Sequence, residues 1–143
     1  MQKKWVSVLF GTAIFAATAL SSSVLAEVVV VVHPSNEASL TEKDVQRIFL
    51  GKEKKFPDGR ESIPVNQETS NDIRGDFDQN VLGRNSSQVA AYWSKLVFTG
   101  KGVPPKEVSG DSAVIELIKE NKSVIGYIDS ASVTGDVKVI QLN

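Results

Sequence analysis

The chain has 143 residues, 41% apolar and 23% charged, which suits one globular domain and excludes collagen-like and disordered classes. Its formal net charge is −1 and its pI near 5.8, so no global basic field draws in nucleic acid. Cysteine is absent and histidine occurs once, which excludes disulfides, thiolate chemistry and a histidine-based metal cage.

The first 26 residues have the layout of a secretory signal peptide. Lys3 and Lys4 give a positive start, residues 5–20 are mostly apolar, and Val24-Leu25-Ala26 fits a small-residue cleavage site. The apolar run is shorter than the ~20 residues of a membrane span. Cleavage after Ala26 is therefore expected, with residues 27–143 as one domain. An exported chain without disulfides points to a bacterial periplasm or medium. No Cys stands at the cleavage point, so no lipid anchor is expected.

Val28 to Val32 is an unbroken β-branched run, the pattern of a strand buried on both faces and central in its sheet. His33-Pro34 ends it. Thr41 and Asp44 have the spacing of a capping box, and Val45, Ile48 and Phe49 follow at helical spacing up to Gly51. Pro57-Asp58-Gly59 is a turn, and residues 63–66 a short strand. Thr69 or Ser70 caps a second helix carrying Ile73, Phe77, Val81 and Leu82, with Gly83 as its terminator. Ser86 caps a third over residues 87–98, with Val89, Tyr92, Trp93, Leu96 and Val97 as its apolar stripe. A loop over 99–106 precedes a fourth helix, capped by Asp111, carrying Val114, Ile115, Leu117 and Ile118 and closed by Asn121. Residues 124–128 and 137–142 are the last strands. This order predicts an α/β domain, a mixed sheet flanked by helices. Ile48, Phe49, Phe77, Trp93 and Ile125 are expected in its core.

Catalytic signatures are missing. There is no G-x-S-x-G elbow and no P-loop, and nothing in the sequence pairs His33 with a serine and an acid. Lys52, Lys54, Lys55 and Arg60 alternate with Glu53, Asp58 and Glu61, a solvated loop rather than a nucleic-acid patch. Neither an enzyme, a cofactor, a metal nor a nucleic-acid partner is expected.

One stretch has a binding mechanism, Asn66 to Arg74. A strand ends and a helix starts, and the first turn of a helix presents unpaired N–H groups at the positive end of its dipole. Thr69, Ser70 and Asn71 add donors, and Arg74 adds a fork suited to oxyanions. Glu68 and Asp72 bring negative charge to the same place. The alternative is plain capping, with Asp72 answering the dipole and Arg74 paired to an acid on a neighbouring turn. Ser35-Asn36, just past the first strand, is a second candidate, and joins the site if the two strand ends share an edge.

Three phrases carry a resemblance: Val45-Gln46-Arg47-Ile48-Phe49-Leu50-Gly51-Lys52, Ile125-Gly126-Tyr127 after Asn121-Lys122-Ser123, and the run from Ala91 to Pro105. Together they resemble the periplasmic phosphate-binding protein of phosphate ABC transporters, above all its short single-domain relatives, over nearly all of 27–143. The resemblance implies one lobe of a type 2 periplasmic binding protein. It also implies a solute-binding component for phosphate or a similar oxyanion, with an ABC transporter membrane component as partner. Two-lobed members close on the anion, and their phosphate turn is rich in Ser, Gly and Thr. The matching turn here reads Glu68-Thr69-Ser70-Asn71-Asp72, without glycine. A single lobe implies weak binding by the monomer unless self-association supplies a second wall. The other class of function is a protein-interaction module that kept the fold without transport.

Mass spectrometry of the exported protein is expected to find its N-terminus at Glu27. A membrane-retained full-length species would contradict the signal-peptide assignment.

Overall fold

Thr41 starts the first helix as its sequence predicts: its hydroxyl accepts from the Asp44 N–H, and the Asp44 carboxylate accepts from the Thr41 N–H. The computed structural model describes residues 27–142, so the expected signal peptide lies outside the described residues. In chain order the elements are β1 (Val28–Val32), α1 (Glu42–Phe49), β2 (Ile63–Gln67), α2 (Asp72–Asn80), α3 (Ser86–Phe98), β3 (Lys106–Val108), α4 (Asp111–Glu120), β4 (Val124–Asp129) and β5 (Lys138–Ile140).

The strands form one sheet in the order β3-β2-β4-β1-β5. β2 runs parallel to β3 and β4, while β1 is antiparallel to β4 and β5. The mixed α/β sheet expected from the sequence is thus present. β1 is an interior strand, but β4 takes the centre. β3 was not expected: three residues, Lys106, Glu107 and Val108, are too few to show a period. Two caps shift by one residue. Asn85 rather than Ser86 caps α3, in a capping box with Gln88. Gly110 rather than Asp111 stands at the N-cap of α4, which frees the Asp111 carboxylate for other partners.

Alternation along the strands builds two cores. On one face, Val30, Val32, Ile125 and Tyr127 meet α1, α2 and α3 through Ile48, Phe49, Phe77 and Trp93. On the other, Val31, Val124 and Ile128 meet α4 through Val114 and Ile118. All five residues expected in the core are buried. α4 rests on bare backbone, because a Cβ on Gly126 would come within 2.5 Å of Val114. Phe77 stacks on Tyr127 at 3.8 Å between ring centres, and Phe49 meets Phe77 edge-on at 4.8 Å.

The strand directions decide where a site can lie. The carboxyl ends of β2, β3 and β4 share one edge of the sheet, where α2 and α4 begin. β1 runs the other way, so its carboxyl end lies at the opposite edge.

Phe77 has no exposed surface, and truncation to Ala removes the ring that both Phe49 and Tyr127 pack against. Chemical denaturation of Phe77→Ala is expected to show a loss of about 3–5 kcal/mol.

Candidate functional site

Four polar residues near the carboxyl edge are almost fully buried: Asn66, Gln67, Arg74 and Asp78. Groups of this kind persist inside a protein only when they are hydrogen-bonded. The Gln67 side-chain amide donates to Asp111 Oδ1 at 2.8 Å and to the Tyr127 carbonyl at 3.0 Å. The Gln67 N–H donates to the Tyr127 hydroxyl at 3.0 Å, and that hydroxyl donates to Asn66 Oδ1. Asp111, freed from capping, accepts from the Ser132 hydroxyl at 2.6 Å and the Asp129 N–H at 3.2 Å.

Arg74 lies beneath the turn between β2 and α2. Its Nε donates to Asp78 Oδ2 at 2.9 Å, and its Nη1 donates to the Gln67 carbonyl at 2.8 Å and to Glu107 Oε1 at 3.1 Å. Ser86, at the start of α3, donates to the same Asp78 oxygen at 2.9 Å. One guanidinium thereby ties α2 to the ends of β2 and β3, and its partner carboxylate reaches α3. Burial disfavours the Arg74 charge, but Asp78 beside it, helped by Glu107, more than offsets this and holds the guanidinium protonated above its ordinary range. Burial also pushes the Tyr127 phenol well up, against the opposing pull of the Gln67 N–H and Arg74.

The turn above this network has donors to spare. α2 starts at Asp72 with Asn71 as N-cap, one residue later than a Ser70 cap implies and two later than a Thr69 cap. Asn71 makes no side-chain cap bond; its amide instead donates to the Ser109 carbonyl at 2.9 Å and to Gln67 Oε1 at 3.3 Å. The Asn71 N–H bonds to the Glu68 carbonyl and the Arg74 N–H to the Asn71 carbonyl. The N–H groups of Thr69, Ser70, Asp72 and Ile73 have no partner among the described residues. Thr69 and Ser70 are exposed and Asn71 half-buried. Thr69, Ser70 and Asn71 share one turn, but its free donors are on Thr69 and Ser70: the donors of Asn71 are already engaged, and Arg74 is enclosed behind it.

Ser35 does not join them. It follows β1, whose antiparallel course places it at the other edge of the sheet, where its N–H donates to His33 Nδ1 at 3.1 Å. The shared edge expected from the sequence assumed parallel neighbours, and the β1–β4 pairing removes it. The sequence does not mark Asp78 or Glu107, and it offers Asp111 only as a helix cap, Tyr127 only within a family phrase and Gln67 only as part of the Asn66–Arg74 stretch. A single signal pointed to them: Asn66 and Gln67 are two consecutive polar residues inside a buried strand.

No protein-family model matches the chain, and no curated protein does. Solved structures do match its fold. An ABC-type phosphate transport receptor from Vibrio cholerae aligns with 23% identity and a TM-score of 0.64, over 82% of this chain and 46% of the receptor. A phosphate ABC transporter substrate-binding protein with bound phosphate, from Clostridium perfringens, aligns at 19% identity and a TM-score of 0.65, over 82% and 45%. PstS from Borrelia burgdorferi aligns at 13% identity and a TM-score of 0.62, over 82% and 47%. The chain spans less than half the length of each, and its fold matches part of theirs. No described helix is long and apolar enough to cross a membrane.

Replacing Arg74 with Ala leaves Asp78, which has no exposed surface, without its counter-charge. The expected loss is about 3–5 kcal/mol in chemical denaturation, and less in Arg74→Met/Asp78→Leu, where both charges go. The raised phenol of Tyr127 has its own signature. Above pH about 10 the unfolded chain releases this proton and the folded one keeps it, so stability falls as pH rises. Denaturation midpoints between pH 9 and pH 11 are expected to fall more steeply for the wild type than for Tyr127→Phe.

Proposed function

We propose that this chain is an exported, non-catalytic solute-binding lobe that holds phosphate or a similar oxyanion on the turn of Thr69, Ser70 and Asn71. The observation that carries this reading is the set of four unpartnered N–H groups, on Thr69, Ser70, Asp72 and Ile73, at the start of α2. Backbone donors there, together with the helix dipole, suit an oxyanion. The fold shared with phosphate-transport binding proteins supports the ligand class, and an ABC transporter membrane component is the partner that this fold suggests. Arg74 serves as a positioning residue, holding the Gln67 carbonyl and hence the base of the turn.

Affinity follows from geometry. A closed two-lobed site with micromolar affinity corresponds to about −8 kcal/mol, and half its donors give about −4, or roughly millimolar. Glu68 and Asp72 lower it further by repulsion. A second copy or another subunit over the turn would supply the missing wall.

Amide-resolved NMR of the 27–143 chain titrated with phosphate tests this. Shifts are expected at Thr69, Ser70, Asp72 and Ile73, with a dissociation constant on the order of millimolar. Glu68→Gln/Asp72→Asn is expected to tighten binding several-fold by removing two exposed negative charges. Absence of shifts at these amides in tens of millimolar phosphate would overturn the proposal.

A further inference from the structure

α3 ends in an apolar tip that the fold leaves open. Phe98 is 92% exposed, Val103 85% and Val97 53%. Large apolar groups clustered so openly are uncommon on a surface that meets only water. Their display is fixed by the backbone beneath. Trp93, itself buried, is closely approached by two glycines: a Cβ on Gly51 would come within 2.8 Å of its ring and one on Gly102 within 3.3 Å. Gly100 adopts φ +69°, and the N–H groups of Gly100 and Lys101 bond back to the Val97 and Leu96 carbonyls at 3.1 and 2.8 Å. This left-handed helix ending wraps the loop around Trp93 and leaves Phe98 and Val103 in solvent.

Two grooves flank Val97, of about 540 and 400 Å³. The larger carries Lys54 and Lys101 beside Trp93 and Val103, and no acid lines either groove. Lys95 precedes the tip on α3, and Lys54, Lys95 and Lys101 form no ion pair among the described residues. An apolar tip with a lysine rim is complementary to a surface that is both anionic and apolar. Two features favour lipid over protein. Lysine is depleted at protein interfaces, and a protein must offer a shaped pocket to each projecting side chain. Hydrocarbon receives Phe and Val without a pocket, while anionic headgroups attract lysines.

We propose that Val97, Phe98 and Val103, with Lys54 and Lys101, dock this protein peripherally on an anionic phospholipid surface. This surface is separate from the turn of Thr69 to Asn71, and the proposal does not depend on oxyanion binding. The 27–143 chain holds the whole sheet and both cores, so it is the form to test. It is expected to co-sediment with vesicles of equal parts phosphatidylglycerol and phosphatidylcholine, and not with phosphatidylcholine alone. Added salt should release it. Phe98→Ser should lower the partition coefficient about ten-fold or more, and Lys101→Glu should lower it as well, both with an unchanged unfolding midpoint. Failure to bind the anionic vesicles, or full binding by Phe98→Ser, overturns the proposal. So does a concentration-dependent dimer that Phe98→Ser abolishes, since the tip would then belong to a second copy of the chain.

Discussion

A charge pair with almost no water around it holds the site edge together. Arg74 and Asp78 lie one helical turn apart on α2, side chains 5% and 0% exposed. An isolated i,i+4 pair on a helix surface contributes only tenths of a kcal/mol. Here the pair is enclosed and bonds to three other segments, the end of β2 through the Gln67 carbonyl, β3 through Glu107 and α3 through Ser86, while Asp78 Oδ1 has no partner among the described residues. Removing either charge would expose the other to a low-dielectric interior, so the arrangement stands or falls as a unit. The turn above it inherits its shape from this anchoring.

The sheet adds a second constraint. Helices follow β2 and β3 at their carboxyl ends, which brings the starts of α2 and α4 to one edge, the place where open α/β sheets offer donors to ligands. Asp111, at the head of α4, already fills part of that edge with a carboxylate bonded to Gln67, Asp129 and Ser132. The protein's own acid thus satisfies donors that would otherwise face outward. The β2–α2 turn is one part of that edge with unspent donors; the first N–H groups of α4 also have no side-chain cap.

Much of this was legible in the sequence. Capping residues fix helix starts through local hydrogen bonds, so Thr41 with Asp44 could be read directly, and Asn85 with Gln88 to within one residue. Apolar spacing found the core, because Phe49, Phe77 and Ile125 lie on stripes that only burial explains. Strand direction was not legible. Whether β1 runs with or against β4 depends on contacts about a hundred residues apart, and that orientation removed Ser35 from the site. The partners of Arg74 were half legible: an acid one turn away was open as the capping alternative, whereas Glu107 lies on a strand too short to recognise. The polar network of Gln67, Tyr127 and Asp111 joins three distant segments, and only the fold assembles it.

The role of Arg74 can be decided by comparing magnitudes. The Arg74 side chain is only 5% exposed, with Nε on Asp78 and Nη1 on the Gln67 carbonyl and Glu107; swinging it out to an oxyanion on the surface would leave a fully buried carboxylate uncompensated at a cost of about 3–5 kcal/mol. Millimolar binding supplies about 4 kcal/mol in total. On the proposed millimolar affinity that exchange would leave almost nothing, which is why Arg74 is assigned the shaping of the turn rather than contact with the anion. Whatever anion affinity the lobe has must then come from backbone dipoles. Those are weaker than a free guanidinium but stand ready at no cost in rearrangement, which suits a site completed by a second wall rather than by its own charge.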